Sequence, residues 1–241
     1  MPNFFNRLFS KKEKVLSKGD LYDVQTEQII KQVCKKDSNC VDAGCNIGDI
    51  LKIILKYAPD GRHYAYEPIP DLFQQLQAKF GQYQNCHISD IALSDKKGTS
   101  SFNYVVSNPA YSGLIKRKYD KEGEVDTLIE VQTNLLDDIL PKDYRVDLIK
   151  IDVEGGEFPL LRGAANTLKK YKPVVIFEHG TGASEFYGTR PEDLYHFLRD
   201  CGLEVYTLTK WLGKQPPLSV EELVSIFNTN EEWYFVASVK V

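Results

Sequence analysis

Val41-Asp42-Ala43-Gly44-Cys45-Asn46-Ile47-Gly48, with Tyr64-Ala65-Tyr66-Glu67-Pro68 about twenty residues later, decides the reading of this chain. Apolar residues lead into Asp42, glycines carry a turn, and an apolar helical stripe opens near Ile47. A second apolar run then ends on Glu67, an acid suited to grip ribose hydroxyls. These are the parts of a nucleotide-binding βαβ unit. The turn also discriminates between cofactors. A dinucleotide fingerprint needs its second glycine where the backbone meets a pyrophosphate, and Asn46 stands there instead. The pattern Asp-x-Gly-x-Asn-x-Gly suits a ligand with adenosine at one end and an amino acid at the other, whose ammonium is received by acceptors near the strand ends. S-adenosylmethionine has that form.

Length and composition set the frame. The 241 residues, 42% of them hydrophobic, are enough to bury one substantial core and match a single α/β domain. We expect an N-terminal arm over residues 1–20 and one catalytic domain over 21–241. A net charge of −4 and a pI near 5.7 supply no basic field to gather nucleic acid. Five cysteines, odd in number and without metal-ligand spacing, point away from a disulfide framework or a structural zinc and towards a reducing cytoplasm. Cys45 lies in the turn, where a small residue tolerated beside the backbone explains it without chemistry. No run approaches the roughly 20 apolar residues of a membrane span, and the first residues lack the apolar core of a signal peptide. Phe4, Phe5, Leu8 and Phe9, with Arg7, Lys11, Lys12 and Lys14, would make a short basic amphipathic helix, though packing or disorder is the simpler expectation.

Periodicity then orders the chain. Val24 to Lys35 reads as a helix, Asn39 to Asp42 as the first strand, His63 to Glu67 as the second, and Pro70 to Phe80 as a helix ending at Gly81. Cys86 to Ser89 is the third strand and delivers Asp90, Ile91 and Ala92 to the edge where an adenine would lie. Ser100 to Val106 and Leu128 to Thr133 alternate like a β-ribbon. Between them lies a long aperiodic segment, a lid or insertion over about 104–127, in which Tyr104, Asn108, Tyr111 and Ser112 could close over an acceptor. Val146 to Asp152 is the fourth strand and Pro173 to Phe177 the fifth. A helix over Glu192 to Asp200, a strand over Glu204 to Leu208 and a last strand over Trp233 to Val239 follow. The alternation predicts a doubly wound sheet with its ligand at the carboxyl ends of the strands.

In this order, Val41-Asp42-Ala43-Gly44-Cys45-Asn46-Ile47-Gly48, Tyr66-Glu67-Pro68, Ala92-Leu93-Ser94-Asp95 and Ile149-Lys150-Ile151-Asp152-Val153-Glu154-Gly155, with Glu157, Leu161 and Gly163 beyond, resemble the FkbM family of S-adenosylmethionine-dependent methyltransferases. The resemblance spans roughly Asn39 to Glu178. It implies the class I methyltransferase (Rossmann-like) fold, seven strands with the last antiparallel, and a hydroxyl as the usual methyl acceptor. Cys45 stands where the family commonly carries alanine. Nothing beyond about Gly180 matches a family motif, so the acceptor does not follow from it.

Methyl transfer to a hydroxyl needs positioning and benefits from a base. Asp42, Gly44, Asn46, Gly48, Glu67, Pro68, Asp90, Ile91, Ala92 and Asp152 form the expected cofactor set. Asp152, Glu154 and His179 form the catalytic set, with His179 the first choice for base on its intrinsic pKa. Asp152 is expected to orient the cofactor ammonium or the acceptor, and Glu154 to cap a helix or face the acceptor. Glu178 would orient His179 or point into the site itself, because neighbouring strand residues face opposite sides. A divalent ion on Asp152, Glu154, Glu178 and His179 is the weaker alternative, and no metal is assigned. Lys150, a charge inside an apolar strand, is expected to pair with an acid. Tyr187 and Trp211 are equally candidates for the site or the core. The competing functions are a nicotinamide oxidoreductase, which Asn46 argues against, and a non-catalytic module, which the acidic strand ends argue against.

Overall fold

The computed structural model describes residues 17–119 and 121–240. The amphipathic arm read over Phe4 to Lys14 lies outside them. The first helix, α1 (Lys18–Val33), starts earlier than the apolar periodicity suggests because Ser17 and Asp20 form a reciprocal capping box at its N-terminus. Strand β1 (Cys40–Ala43), helix α2 (Asp49–Tyr57), strand β2 (His63–Tyr66), helix α3 (Pro70–Phe80) and strand β3 (Cys86–Ser89) follow as alternating units. Strands β4 (Ile91–Leu93), β5 (Gly98–Val105) and β6 (Asp126–Asn134) form a separate three-stranded sheet in the order β4-β6-β5. It contains the ribbon read from the sequence, β5 and β6 being antiparallel.

The chain then returns to the main sheet. Helix α4 (Leu136–Ile139) precedes strand β7 (Leu148–Ile151). Helices α5 (Glu157–Gly163) and α6 (Ala165–Tyr171) lead to β8 (Val174–Glu178), and α7 (Pro191–Asp200) leads to β9 (Glu204–Thr207). Two helices that strand-and-helix periodicity does not announce, α8 (Leu208–Leu212) and α9 (Val220–Thr229), come before β10 (Tyr234–Ser238). Ser219 and Glu222 cap α9 in the same reciprocal manner as α1, a local signal present in the sequence.

The main sheet has seven strands in the order β3-β2-β1-β7-β8-β10-β9. Its strands pair in parallel except β10, which runs antiparallel to both β8 and β9. Alternation along each strand divides the residues between two faces. Val41, Ile149, Val175 and Phe235 pack with Leu160, Leu168, Leu194 and Leu198 of α5, α6 and α7. Cys40, Leu148, Ile176 and Val236 pack with Ile29 and Ile30 of α1, Ile54 of α2 and Trp211 of α8. Each fully buried Leu, Ile or Phe contributes about 1.5–3 kcal/mol. Trp211 donates its indole N–H to Ser238 Oγ at 3.0 Å and belongs to this core. The same alternation carries Asp42, Lys150, Asp152, Glu178 and Tyr234 to the α1 side of the sheet, clustered towards the carboxyl edge.

Candidate active site

The turn after β1 is shaped by close approach. Gly44 and Gly48 have left-handed φ of 74° and 83°, and a Cβ on Gly48 would stand 2.4 Å from the ring of Phe80. The amides of Gly44 and Cys45 both donate to Tyr66 O, at 3.0 and 3.2 Å, which ties the turn to the end of β2. Glu67 completes the tie. Its Oε2 accepts from the Asn46 amide at 2.8 Å and its Oε1 from the Ile69 amide at 3.0 Å. Burial pushes the Glu67 carboxyl up to about 7, against the opposing pull of these two N–H groups.

A cavity of about 140 Å³ opens over this turn. Of the expected cofactor residues, Gly44, Asn46, Glu67, Pro68, Ile91, Ala92 and Asp152 line it. Three do not. Asp42 is buried beneath the turn, and desolvation raises its carboxyl to about 7 despite nearby Lys150. Gly48 packs on Phe80 at the start of α2, and Asp90 is exposed. Apolar walls that the sequence did not single out come from Ile69, Leu72 and Phe102. Cys45 is buried and its thiol is pushed well up by desolvation, as suits a residue without chemistry.

The segment between β5 and β6 folds over this cavity. Pro109, Ala110, Ser112 and Leu114 line its outer wall, whereas Tyr104, Asn108 and Tyr111 do not. Ser112 Oγ accepts from the Val105 amide at 2.9 Å, and the Ile115 amide donates to the Tyr187 hydroxyl at 3.0 Å. Tyr187 therefore lines the cavity and anchors the segment. Arg117 forms an ion pair with Glu154 and lies over the Tyr111 ring at 5.2 Å. Nothing in the local sequence pattern marked Arg117; it is paired only through the fold.

The third wall is acidic. Glu154 takes a left-handed φ of 54° and Gly155 one of 98°, a loop held by Glu157 Oε1, which accepts from the amides of Val153 and Gly155, both at 3.1 Å. Such backbone in a non-glycine residue is costly and concentrates at functional sites. Carboxyl oxygens of Asp152, Glu154 and Glu178 come within 4.8 Å of one another. Burial opposes ionisation of Asp152, but Lys150 and hydrogen bonds from Tyr234, Lys150 and Glu178 hold its carboxyl below the usual range. Desolvation and the neighbouring Asp152 push the Glu178 carboxyl well up. Glu154 is raised to about 8 by burial and Asp152, with Arg117 opposing.

His179 is placed differently from the expectation that made it the base. The alternation that turns Glu178 towards Asp152 turns His179 towards α9, where its ring stacks on Phe227 at 4.8 Å and its Nδ1 meets Ser184 Oγ at 3.1 Å. It is buried, lies outside the cavity lining, and desolvation lowers it to about 4. The four-residue metal set thus loses its nitrogen, while the carboxyl groups of Asp152, Glu154 and Glu178 stay together. Lys150 pairs with Asp152 at 3.1 Å.

Comparison with known proteins bears on the family and the fold. The model of the methyltransferase FkbM domain matches residues 42–205. The chain is 26% identical over 160 residues to the 2-O-methyltransferase NoeI of Sinorhizobium fredii, covering 59% of this chain and 64% of that protein. It is 28% identical over 194 residues to the methyltransferase sdnD of Sordaria araneosa, covering 68% and 73% of the two. It is 27% identical over 208 residues to the AMB antimetabolite synthetase AmbE of Pseudomonas aeruginosa, covering 72% of this chain but only 10% of that protein. The chain thus spans less than two thirds of the length of AmbE and of NoeI. Among solved structures, the methyltransferase FkbM of Methylobacillus flagellatus superposes with a TM-score of 0.51 at 12% identity, over 90% of this chain and 59% of that one. A seven-stranded sheet with β10 reversed is the class I methyltransferase fold, and with the match over residues 42–205 the chain belongs to the FkbM methyltransferase family.

Proposed function

We propose that this protein transfers the methyl group of S-adenosylmethionine to a hydroxyl of a small molecule or glycan. The observation that carries the reading is the Glu67 carboxylate, buried at the mouth of a cavity whose floor is the Gly44–Asn46 turn. The residues present fit the cofactor. Glu67 accepts from ribose hydroxyls, Ile91, Ala92, Leu72 and Phe102 supply an apolar wall for adenine, and Asp152 receives the ammonium. The turn does not suit a pyrophosphate, because the Asn46 amide already donates to Glu67. That argues against a nicotinamide cofactor, and the acids lining the cleft argue against a non-catalytic module.

Bound S-adenosylmethionine supplies a sulfonium-activated methyl carbon. The chain's own residues position, exclude water and accept a proton. Holding the acceptor oxygen in line contributes up to about 7–11 kcal/mol. We assign the base to Glu154 in place of His179, since Glu154 lines the cavity and a carboxyl near 8 is matched to a hydroxyl proton at neutral pH. The segment carrying Pro109 to Leu114 excludes water. The 2-O-methyltransferase NoeI among the relatives supports oxygen as the acceptor atom. A cleft lined by Asp152 and Glu154 is unfavourable to phosphate-rich nucleic acid. The cysteines are free, no helix among the described residues is long and apolar enough to cross a membrane, and both fit action in the cytoplasm.

Calorimetric titration with S-adenosylmethionine, S-adenosylhomocysteine and NAD tests the reading. The first two bind and NAD does not. Binding of NAD alone overturns it.

A further inference from the structure

We infer that Lys150 and Tyr234 are positioning residues that fix the Asp152 carboxylate to receive the amino end of the cofactor. Lys150 sits in the middle of β7, paired in register with Asp42 of β1 on one side and Ile176 of β8 on the other. It is 3% exposed. Its Nζ donates to Asp152 Oδ2 at 3.1 Å, to Ile151 O at 3.3 Å and to the Tyr234 hydroxyl oxygen at 3.4 Å. Tyr234, at the first position of β10, donates its hydroxyl to the same Oδ2 and lays its ring 4.8 Å from Nζ. Tyr22 of α1 covers the Tyr234 ring at 5.1 Å.

A buried ammonium is costly, and an apolar side chain of the same length would fill the space without that cost. What the ammonium adds is charge and direction. Two donors from two different strands converge on one oxygen of Asp152, so its carboxylate cannot rotate without breaking both bonds. Asp152 also lines the cavity beside Gly44. The charged groups around it are the acids Asp42 on β1, Glu154 on the following loop, Glu178 on β8 and Asp23 on α1, together with Arg117, which is paired to Glu154, and this leaves Lys150 as the cation in direct contact with the Asp152 carboxylate. The inference rests on the reading of Asp152 as the ammonium acceptor.

The test uses the full chain and two ligands that differ in the amino acid. S-adenosylhomocysteine carries the amino acid, and 5′-methylthioadenosine keeps the nucleoside and sulfur but lacks it. Lys150→Met and Tyr234→Phe are each expected to weaken S-adenosylhomocysteine by roughly tenfold while changing 5′-methylthioadenosine by less than about twofold. Asp152→Asn should behave like Lys150→Met. Equal losses for both ligands in both variants would mean general damage to the sheet and would overturn the inference. Loss on Asp152→Asn, with Lys150→Met and Tyr234→Phe binding normally, would also overturn it while leaving the role of Asp152 intact. Normal binding by Asp152→Asn would remove that role itself. Should Lys150→Met fail to fold, Tyr234→Phe decides alone, because it removes one hydroxyl and keeps the ring.

Discussion

Gly44 and Asp152 lie so close that a Cβ on Gly44 would stand 1.8 Å from the Asp152 carbonyl oxygen. The contact joins the glycine turn after β1 to the acidic edge after β7, and the Asp152 amide donates to Ala43 O at 3.0 Å beside it. Two strand ends are thereby locked in one geometry.

Gly44→Ala should therefore fail on two counts. The left-handed φ of 74° costs about 1–3 kcal/mol for a residue with a Cβ, and the clash forces β1 and β7 apart. We expect a fall in Tm of several degrees and loss of detectable S-adenosylmethionine binding by calorimetry. Wild-type affinity in this variant would show that the turn does not hold the cofactor.

On the proposed reading, Glu67 makes cofactor affinity depend on pH. A carboxyl raised to about 7 is largely protonated at pH 6 and ionised at pH 8, and only the ionised form accepts from two ribose hydroxyls while holding Asn46 and Ile69. Affinity for S-adenosylhomocysteine should rise between pH 6 and pH 8, and Glu67→Gln should lower the affinity at pH 8 and flatten the dependence. The same slope in wild type and variant would assign it to another group.

Much of this arrangement was legible before the fold. The turn at residues 44–48, the acid at 67 and the alternation of strands and helices are local patterns, and each fixes a strand end. The site was legible only as far as one strand at a time. That Glu178 and His179 face opposite sides follows from strand geometry, but which of them meets Asp152 depends on the packing of α9 through Phe227. Arg117 was invisible because its partner Glu154 lies 37 residues away across the cleft. Lys150 was the opposite case: its charge in an apolar strand announced a nearby acid, and the fold supplied Asp152. Helix α9 was missed although Ser219 and Glu222 mark its start, since periodicity was weighed above capping.

Separating His179 from Glu154 needs two variants. His179→Ala removes a buried ring stacked on Phe227 and should cost about 1–3 kcal/mol of stability, with turnover per folded molecule unchanged. Glu154→Gln should leave cofactor binding near normal and lower turnover by about 10²–10⁴-fold. In the native protein kcat should rise with pH through about 8, as a base raised to that value becomes ionised. Acceptors would first be found by screening polyhydroxylated metabolites for a cofactor-dependent gain of one methyl mass. A large turnover loss in folded His179→Ala would restore the histidine as base.

The buried acids also set how stability changes with pH in the ligand-free protein. Asp42, Glu67 and Glu157 are each raised to about 7, from 3.8 for the aspartate and 4.5 for the glutamates. Between those limits the folded chain binds protons that the unfolded chain has released, so stability falls as pH rises. Two histidines oppose this at lower pH. His63 is lowered by burial and His179 to about 4, so the unfolded chain takes up protons there that the folded one refuses, and stability rises with pH up to about 6.5. The histidine contribution tails off above 6.5 and is complete by about 7.5, and over the interval the three carboxyls outweigh the two histidines. The Tm should fall between pH 6.5 and pH 8. Glu157→Gln should show a shallower fall, because its amide oxygen can still accept from Val153 and Gly155 while the buried Oε2, which has no hydrogen-bond partner, no longer ionises. A Tm that holds level or climbs over that interval would mean that water reaches these carboxyls and keeps them ionised in the fold.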